Sequence, residues 1–200
     1  MDQTNIIKHA IEYIETLFSN DCGGHDAAHS MRVYRNASLI ADTEPDCDRF
    51  IVALAALLHD ADDHKLFHTE NNENARTFFV RHQLTETQIE FICEVINGIS
   101  FSKNRGGRPQ TLEGKIVQDA DRLDAMGAIG IARTFAFGGE RKRPLEESVQ
   151  HFYDKLLLLK DEMNTEEGKR IAEDRHKLMV DFLNALEQEC SALTKQDTVV

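Results

Sequence analysis

IVALAALLHD, residues 51–60, is an apolar run that ends in a histidine and an aspartate. The residues from Ile51 to Leu58 leave no polar face, so the run predicts a helix that is buried on all sides. Such a helix would carry His59 and Asp60 into the interior, where an unpaired neutral polar group costs roughly 2–7 kcal/mol and a charge costs more. We therefore expect these two side chains to meet a partner there. A divalent cation, with further ligands from other helices, is the simplest partner.

The length and composition predict one soluble domain over residues 1–200, because 41% of the residues are hydrophobic and 29% are charged. We expect its core over about residues 5–193 and a frayed tail over residues 195–200. The net charge is −12, from 23 basic and 35 acidic residues, which argues against nucleic acid or an anionic membrane as the main partner. A small anionic substrate is compatible with this charge if basic residues gather locally.

The cysteines are scattered along the chain and form no C-x-x-C pair; they are Cys22, Cys47, Cys93 and Cys190. This spacing favours reduced thiols over a disulfide framework or a zinc ribbon. The N-terminus carries no basic-then-apolar signal, and no apolar run approaches the ~18 residues of a membrane span. We therefore expect a cytoplasmic protein.

Apolar residues recur with helical spacing along the whole chain, and no segment alternates with period two. The sequence therefore predicts an all-α fold, a single bundle of about eight or nine helices. Thr85 and Gln88 form the T-x-x-Q pattern of a capping box, Asp46 or Asp48 can cap the buried helix, and Pro144 suits the first turn of another. The expected helices cover residues 4–18, 26–42, the buried run up to 58, 70–82, 85–98, 111 to about 126, 127–137, 144 to about 159, and 165 to about 193.

Four residues stand out because each lies in or beside an apolar helical segment, where leucine or alanine is the ordinary choice: His29, His59, Asp60 and Asp121. Each alone has an ordinary explanation, as a core histidine, a polar helix end or part of a solvated acidic face. Together, two imidazoles and two carboxylates predict a mixed nitrogen and oxygen metal site with open positions. Such a set suits Mn, Fe, Co, Ni, Zn or Mg better than it suits a closed structural zinc site.

Three blocks of sequence, in this order, resemble the HD-domain superfamily of metal-dependent phosphohydrolases, whose pattern is H…HD…D. They are GHDAAHSMRV (24–33), LLHD (57–60) and QDADRLDA (118–125). The segments PQTLEGK (109–115) and GAIGIARTF (127–135) resemble a small single-domain bacterial branch, the YpgQ-like and YedJ-like proteins. The resemblance covers roughly residues 5–190 and implies an all-α enzyme.

The resemblance implies that one divalent metal ion is held by His29, His59, Asp60 and Asp121. Manganese is favoured, and Mg, Fe, Co, Ni and Zn stay open. His25, with the aspartate that follows it, also spells the doublet but comes one helical turn before His29, so we do not expect it to be a ligand. Within the third block, Asp121 rather than either neighbouring aspartate matches the family position.

Asp63 and His64 follow the HD doublet by three and four residues. If the helix continues for one more turn, both side chains project towards the metal. A bound divalent ion lowers the pKa of its water and polarises a phosphoryl oxygen, so positioning and charge neutralisation supply most of the rate. We expect Asp63 to orient or deprotonate the attacking water and His64 to be the leaving-group acid. The alternative for both is a solvated loop.

Basic residues should gather at the pocket of an acidic protein that handles phosphates. The candidates for substrate binding are Arg32, Lys65, Lys103, Arg108, Arg122 and Lys142. Arg32 lies one turn after His29, and two of the basic loops contain paired glycines, which let backbone amides approach an anion. For the loop residues, ordinary solvated charge is the alternative.

The resemblance to this branch implies that a nucleoside or deoxynucleoside triphosphate is cut between its α and β phosphates, which releases pyrophosphate. Two other enzymes would use the same metal site, a nucleoside monophosphatase and a phosphodiesterase. A module that binds metal or nucleotide without hydrolysing anything is the alternative outside enzymes. We expect a small anionic nucleotide as the partner, no nucleic acid or membrane, and a monomer or a homodimer.

Overall fold

The computed structural model describes residues 2–19, 26–99 and 107–196, with side chains described as far as residue 191. Within these ranges the chain forms nine α-helices, one 3₁₀-helix and no strand, which confirms the all-α prediction. The predictions for Cys22, His25, Lys103 and the last four residues lie outside the described ranges. None of the described helices combines the length and the apolarity needed to cross a bilayer.

The chain divides into two compact units. The first unit, Met1–Asp124 with Asn164–Gly168, contains α1 (Gln3–Leu17), α2 (Ala27–Ala41), α3 (Arg49–Leu58), α4 (Glu73–Arg81), α5 (Glu86–Ile99) and α6 (Leu112–Asp124). The second unit, Ala125–Met163 with Lys169–Val200, contains α7 (Gly127–Glu140), α8 (Leu145–Asp154), a 3₁₀-helix (Leu156–Glu162) and most of α9 (Glu166–Gln196). That the whole chain forms one domain stays a prediction.

Helix α3 is the centre of the first unit and packs against α1, α2, α5 and α6. Every residue from Phe50 to Leu58 is buried, and none is more than 6% exposed, as the apolar run predicted. The Asp48 carboxylate caps the helix by accepting from the backbone N–H groups of Phe50 and Ile51. The N–H of Asp48 in turn donates to Glu113 Oε1 on α6, which fixes the start of the buried helix.

Helix α2 presents one buried stripe, which contains His29, Val33 and Ala37, as the sequence predicted. Its main partner is α6. Asn36 Nδ2 donates to the carbonyl of Ala120 at 3.2 Å and ties the two helices together. The pairing of α2 with α6 brings the first and third sequence blocks to the same place.

The ends of two helices bear on the sequence predictions. Helix α3 ends at Leu58 and is followed by tight turns, in which Ala61 N–H donates to Leu58 O and Asp63 N–H donates to Asp60 O. Helix α3 thus ends where the apolar run predicted, and the further helical turn that would aim Asp63 at the metal is not formed. The helix expected from residue 144 to about 159 is wrong as one piece, because α8 ends at Asp154 and a 3₁₀-helix follows.

Candidate metal centre

Four polar side chains, from α2, α6 and the residues directly after α3, meet in the first unit. The Nε2 atoms of His29 on α2 and His59, directly after α3, lie 3.2 Å apart. Asp60 Oδ2 is 3.4 Å from both nitrogens. Asp121 Oδ1, on α6, is 3.4 Å from His29 Nε2 and 3.9 Å from His59 Nε2. The structure thus brings together the four residues that the sequence named as metal ligands.

The second nitrogen of each imidazole is bonded elsewhere. His59 Nδ1 lies 2.9 Å from the carbonyl oxygen of Ala56, and a carbonyl can only accept, so Nδ1 of His59 donates. His29 Nδ1 lies 2.7 Å from Asp124 Oδ2. Because Asp124 also accepts two hydrogen bonds from Arg32, its carboxylate is the acceptor for His29 as well. Both neutral rings therefore direct an Nε2 lone pair into the space between them.

The charges around the two histidines favour a positive charge at this place. Burial lowers the pKa of His29, but hydrogen bonds to Asp121, Asp124 and Asp60 outweigh it and hold the pKa well above its ordinary value. Burial also lowers the pKa of His59, but the carboxylates of Asp60 and Asp121 raise it by more, so the net pKa lies above the ordinary value. Partial burial raises the pKa of Asp121, but the imidazoles outweigh it, so the net pKa is lowered. The cluster attracts a cation.

The donor atoms fit a divalent metal ion. Nitrogen and oxygen ligands at about 2.0–2.2 Å from one ion lie roughly 3–3.5 Å from each other. The distance between the two Nε2 atoms, and the distances from each to Asp60 and from His29 to Asp121, lie in that range, while His59 Nε2 and Asp121 Oδ1 are 3.9 Å apart. Imidazole nitrogens combined with carboxylates suit manganese, iron, cobalt, nickel or zinc. Among the described residues, His29, His59 and Asp121 form the cluster whose ligand atoms all lie within 4.8 Å of one another.

The three aspartates of the third block have three different environments, although they follow one another on α6. Asp121 faces the histidines, and its side chain is 38% exposed. Asp119 is fully buried and accepts hydrogen bonds from Asn164 N, Asn164 Nδ2, Thr165 N and Thr165 Oγ1. Asp119 therefore holds the segment before α9. Asp124 bonds to His29, as described above.

Asp124 and Arg32 make a contact that the sequence analysis missed. Arg32 Nε donates to Asp124 Oδ1 at 2.6 Å, and Arg32 Nη2 donates to Asp124 Oδ2 at 3.1 Å. These bonds raise the pKa of Arg32 above its usual value. One signal was available: Arg32 follows His29 by three residues and Asp124 follows Asp121 by three, so each residue shares a helix face with a candidate ligand.

The candidates for proton transfer lie in the turns after α3. The Asp63 side chain is 13% exposed, and its Oδ1 accepts from the backbone N–H of Lys65 at 2.8 Å. The His64 side chain is 73% exposed, with Nδ1 3.6 Å from Asp63 Oδ1. The roles of Asp63 and His64 in catalysis stay predictions.

The candidates for substrate binding are found in different surroundings. Arg32 is anchored on Asp124, Arg122 is buried in α6, and Lys65 is exposed after α3. Arg108 is exposed in the first unit, before α6. Lys142 is exposed in the second unit, after α7, with a positive φ of 54°. Their contacts with a substrate stay predictions.

The chain is similar to known proteins in both sequence and structure. The HD domain family matches residues 26–126. The protein YpgQ of Bacillus subtilis strain 168 is 38% identical over 186 residues, which are 88% of this chain and 90% of YpgQ. These matches confirm the resemblance found in the three sequence blocks.

Solved structures agree with the sequence matches. The crystal structure of Bacillus subtilis YpgQ in complex with ADP has a TM-score of 0.83 and 34% identity, and the match covers 94% of this chain and 97% of that chain. An HD-superfamily hydrolase from Bacillus thuringiensis has a TM-score of 0.79 and 36% identity, with 96% and 100% covered. The fold described above is therefore also the fold of these proteins.

Proposed function

The chain belongs to the HD domain family of metal-dependent phosphohydrolases, and from this premise we propose that it is a nucleoside or deoxynucleoside triphosphate pyrophosphohydrolase. One observation supports the proposal most strongly. The Nε2 atoms of His29 and His59 lie within a few ångströms of each other and of the carboxylates of Asp60 and Asp121. We propose His29, His59, Asp60 and Asp121 as the ligands of one divalent ion, with manganese as the favoured metal. Such an ion supplies Lewis acidity, which lowers the pKa of water and neutralises charge on phosphoryl oxygens.

Nucleotide as the substrate class is supported by a relative and by local charge. YpgQ, with which this chain shares its fold, has been crystallised with ADP. This chain carries a net charge of −12, so a polyanion needs local cations to approach it. We propose Lys65, Lys103, Arg108, Arg122 and Lys142 as those cations. Their number suits a triphosphate better than a monophosphate.

The chemistry needs one proton acceptor and one proton donor from the chain. We propose that the Asp63 carboxylate takes a proton from the water that attacks the α-phosphorus. The bond from that phosphorus to the bridging oxygen breaks, and pyrophosphate leaves with the bonding electrons. His64 would supply a proton to the leaving oxygen. The N–H of Lys65 donates to Asp63 Oδ1 at 2.8 Å and restrains this carboxylate.

Turnover of a nucleotide panel tests the proposal. Protein stripped of metal would be supplied with Mn²⁺, Mg²⁺, Co²⁺ or Ni²⁺ and given mono-, di-, tri- and cyclic nucleotides, with phosphate and pyrophosphate measured separately. We expect equal amounts of pyrophosphate and nucleoside monophosphate from triphosphates, most strongly with Mn²⁺. An Arg49→Gln variant is the control, because Arg49 pairs with Asp42 on the exposed surface.

Any other pattern of products would indicate a different function. Orthophosphate alone would move cleavage to a terminal phosphate, and turnover restricted to monophosphates or cyclic nucleotides would indicate a monophosphatase or a phosphodiesterase. No product with any metal would indicate a module that binds metal or nucleotide.

The scattered cysteines favour the cytoplasm, where such substrates occur. We propose a monomer or a homodimer, which size-exclusion chromatography with light scattering would distinguish.

A further inference from the structure

One carboxylate joins a candidate metal ligand to a cation. Asp124 Oδ2 accepts from His29 Nδ1 at 2.7 Å and from Arg32 Nη2 at 3.1 Å, while Asp124 Oδ1 accepts from Arg32 Nε at 2.6 Å. We propose that Asp124 and Arg32 are positioning residues that set the affinity of the site for its metal ion. Asp124 acts by fixing the ring of His29, and Arg32 acts through Asp124. This inference rests on the proposed function of the site.

Asp124 determines which nitrogen of His29 carries the proton. A metal ligand must offer a lone pair, and a neutral imidazole has one lone pair and one N–H. Because the Asp124 carboxylate accepts from Nδ1, the proton stays on Nδ1 and the lone pair stays on Nε2, which faces His59 at 3.2 Å. The carboxylate also fixes the plane of the ring. Carboxylates behind ligating histidines have this effect at metal sites in general.

Arg32 offsets the cost of burying the Asp124 carboxylate behind His29. The Asp124 side chain is only 2% exposed, and a buried negative charge is costly unless it is paired and hydrogen-bonded. Arg32 supplies both the charge and two parallel N–H donors in the fork that matches a carboxylate. The helix spacing places each pair on one face of its helix. His29 and Arg32 lie three residues apart on α2, and Asp121 and Asp124 lie three residues apart on α6.

This inference changes the role expected for Arg32. The sequence analysis placed it on the substrate, but its Nε and Nη2 are bonded to Asp124 in the structure. A residue that acts through Asp124 changes metal binding when no substrate is present. A residue that only contacts substrate changes KM and leaves metal affinity alone. The two roles are therefore separable by experiment.

Titration with Mn²⁺ in the absence of substrate is the test. Electron paramagnetic resonance of free Mn²⁺ would give the Kd of the wild type and of Asp124→Asn, Arg32→Gln and Arg32→Lys. An amide has only one acceptor oxygen, so its NH₂ faces either Arg32 Nε or His29 Nδ1, and in the second orientation it forces the proton of His29 onto Nε2. We expect Asp124→Asn to raise the Kd by about 10–100-fold, as loss of a hydrogen-bonding partner behind a ligand does. Arg32→Gln should raise it as well, and Arg32→Lys should raise it less.

The matched controls are Arg49→Gln and Asp42→Asn. Arg49 Nη1 and Asp42 Oδ1 also lie 2.6 Å apart, but both side chains are more than 60% exposed. These variants change the net charge by the same amounts, so an unchanged Kd for them excludes a general charge effect. The ¹⁵N spectrum of the histidines in the metal-free protein is a second measurement. At a pH high enough for the ring to be neutral, we expect the Nδ1–H form of His29 in the wild type and its loss in Asp124→Asn.

The outcomes separate this inference from the proposed function. Wild-type protein that binds none of Mn²⁺, Mg²⁺, Co²⁺ and Ni²⁺ would overturn both. Wild-type binding with an unchanged Kd in folded Asp124→Asn would overturn this inference alone, as would an Arg32→Gln protein with a raised KM and an unchanged Kd. If Asp124→Asn does not fold, Arg32→Gln decides the question, since the Arg32 side chain is 28% exposed and its loss leaves no large cavity.

Discussion

His29 and His59 present their Nε2 atoms to each other at 3.2 Å, while Nδ1 of each ring is bonded to another acceptor. Two lone pairs cannot face each other at that distance without a positive charge between them. Either a proton or a metal ion can supply that charge. The two therefore compete for one place, and this competition determines how the protein responds to pH.

The stabilisation by metal should increase with pH. The pKa values of His29 and His59 are raised, so in the metal-free protein their protonation adds stability that is fully present below the ordinary histidine pKa and is lost as pH rises through the raised values. Metal binding requires the neutral rings and becomes stronger over the same window. We expect saturating Mn²⁺ to raise Tm by several degrees more at about pH 8 than at about pH 6. Differential scanning fluorimetry with and without Mn²⁺ measures this, and a shift that shrinks with rising pH would contradict it.

Two aspartates on α6, two residues apart, should have separable effects. Asp121→Asn removes a charge beside the histidines and should weaken Mn²⁺ binding by about 100-fold, and it should destabilise the metal-free protein less than Asp119→Asn does, because the Asp121 side chain is 38% exposed. Asp119→Asn breaks a fully buried set of hydrogen bonds to Asn164 and Thr165 and should cost about 3 kcal/mol of unfolding free energy. Isothermal titration and urea denaturation measure the two effects. Equal losses of stability in both variants would contradict the assignment.

The helices themselves could be predicted because their signals are local. The run from Ile51 to Leu58 has no polar residue and is buried throughout. The capping box is formed as predicted, with Thr85 N–H donating to Gln88 Oε1 at 3.0 Å and Gln88 N–H donating to Thr85 Oγ1 at 3.3 Å. Both features depend on residues within one or two helical turns, so the sequence contains all the information that they need.

The surroundings of the third block could not be predicted for the opposite reason. Asp119, Asp121 and Asp124 are equally acidic, and helical geometry says only that they point in different directions. Which of them meets a histidine, an arginine or the segment before α9 depends on partners that are tens of residues away in the sequence. The turns that follow α3 could not be predicted either, because they are held by backbone hydrogen bonds that any sequence can make.

Truncation of the buried helix should be costly. Leu54 is fully buried on α3, and Leu54→Ala removes three heavy atoms from a site that is enclosed on all sides. We expect a loss of about 2–5 kcal/mol of unfolding free energy. Leu39→Ala is the matched control, because Leu39 is 55% exposed on α2, and it should change stability by less than about 0.5 kcal/mol. Urea denaturation of both variants checks this, and similar losses in the two would show that α3 is not the centre of the core.

Asp63→Asn should separate chemistry from metal binding. Asparagine keeps an oxygen at the position that accepts the Lys65 N–H, so the turn after α3 should be preserved. The side chain can no longer take a proton, and general-base catalysis contributes about 10²–10⁴-fold. We therefore expect kcat to fall by at least about 100-fold, while the Kd for Mn²⁺ and the Tm stay near their wild-type values.

The adjacent carboxylate provides the matched control for this last prediction. Asp62 accepts from the backbone N–H groups of Asn74 and Ala75 and so caps the start of α4. Asp62→Asn should cost about 1 kcal/mol of stability through the weakened cap and leave kcat per folded molecule unchanged. Steady-state kinetics with the best triphosphate of the panel compares the two variants. If Asp63→Asn keeps its kcat, another group must take the proton, and the proposed role of Asp63 is wrong even where the metal site is correct.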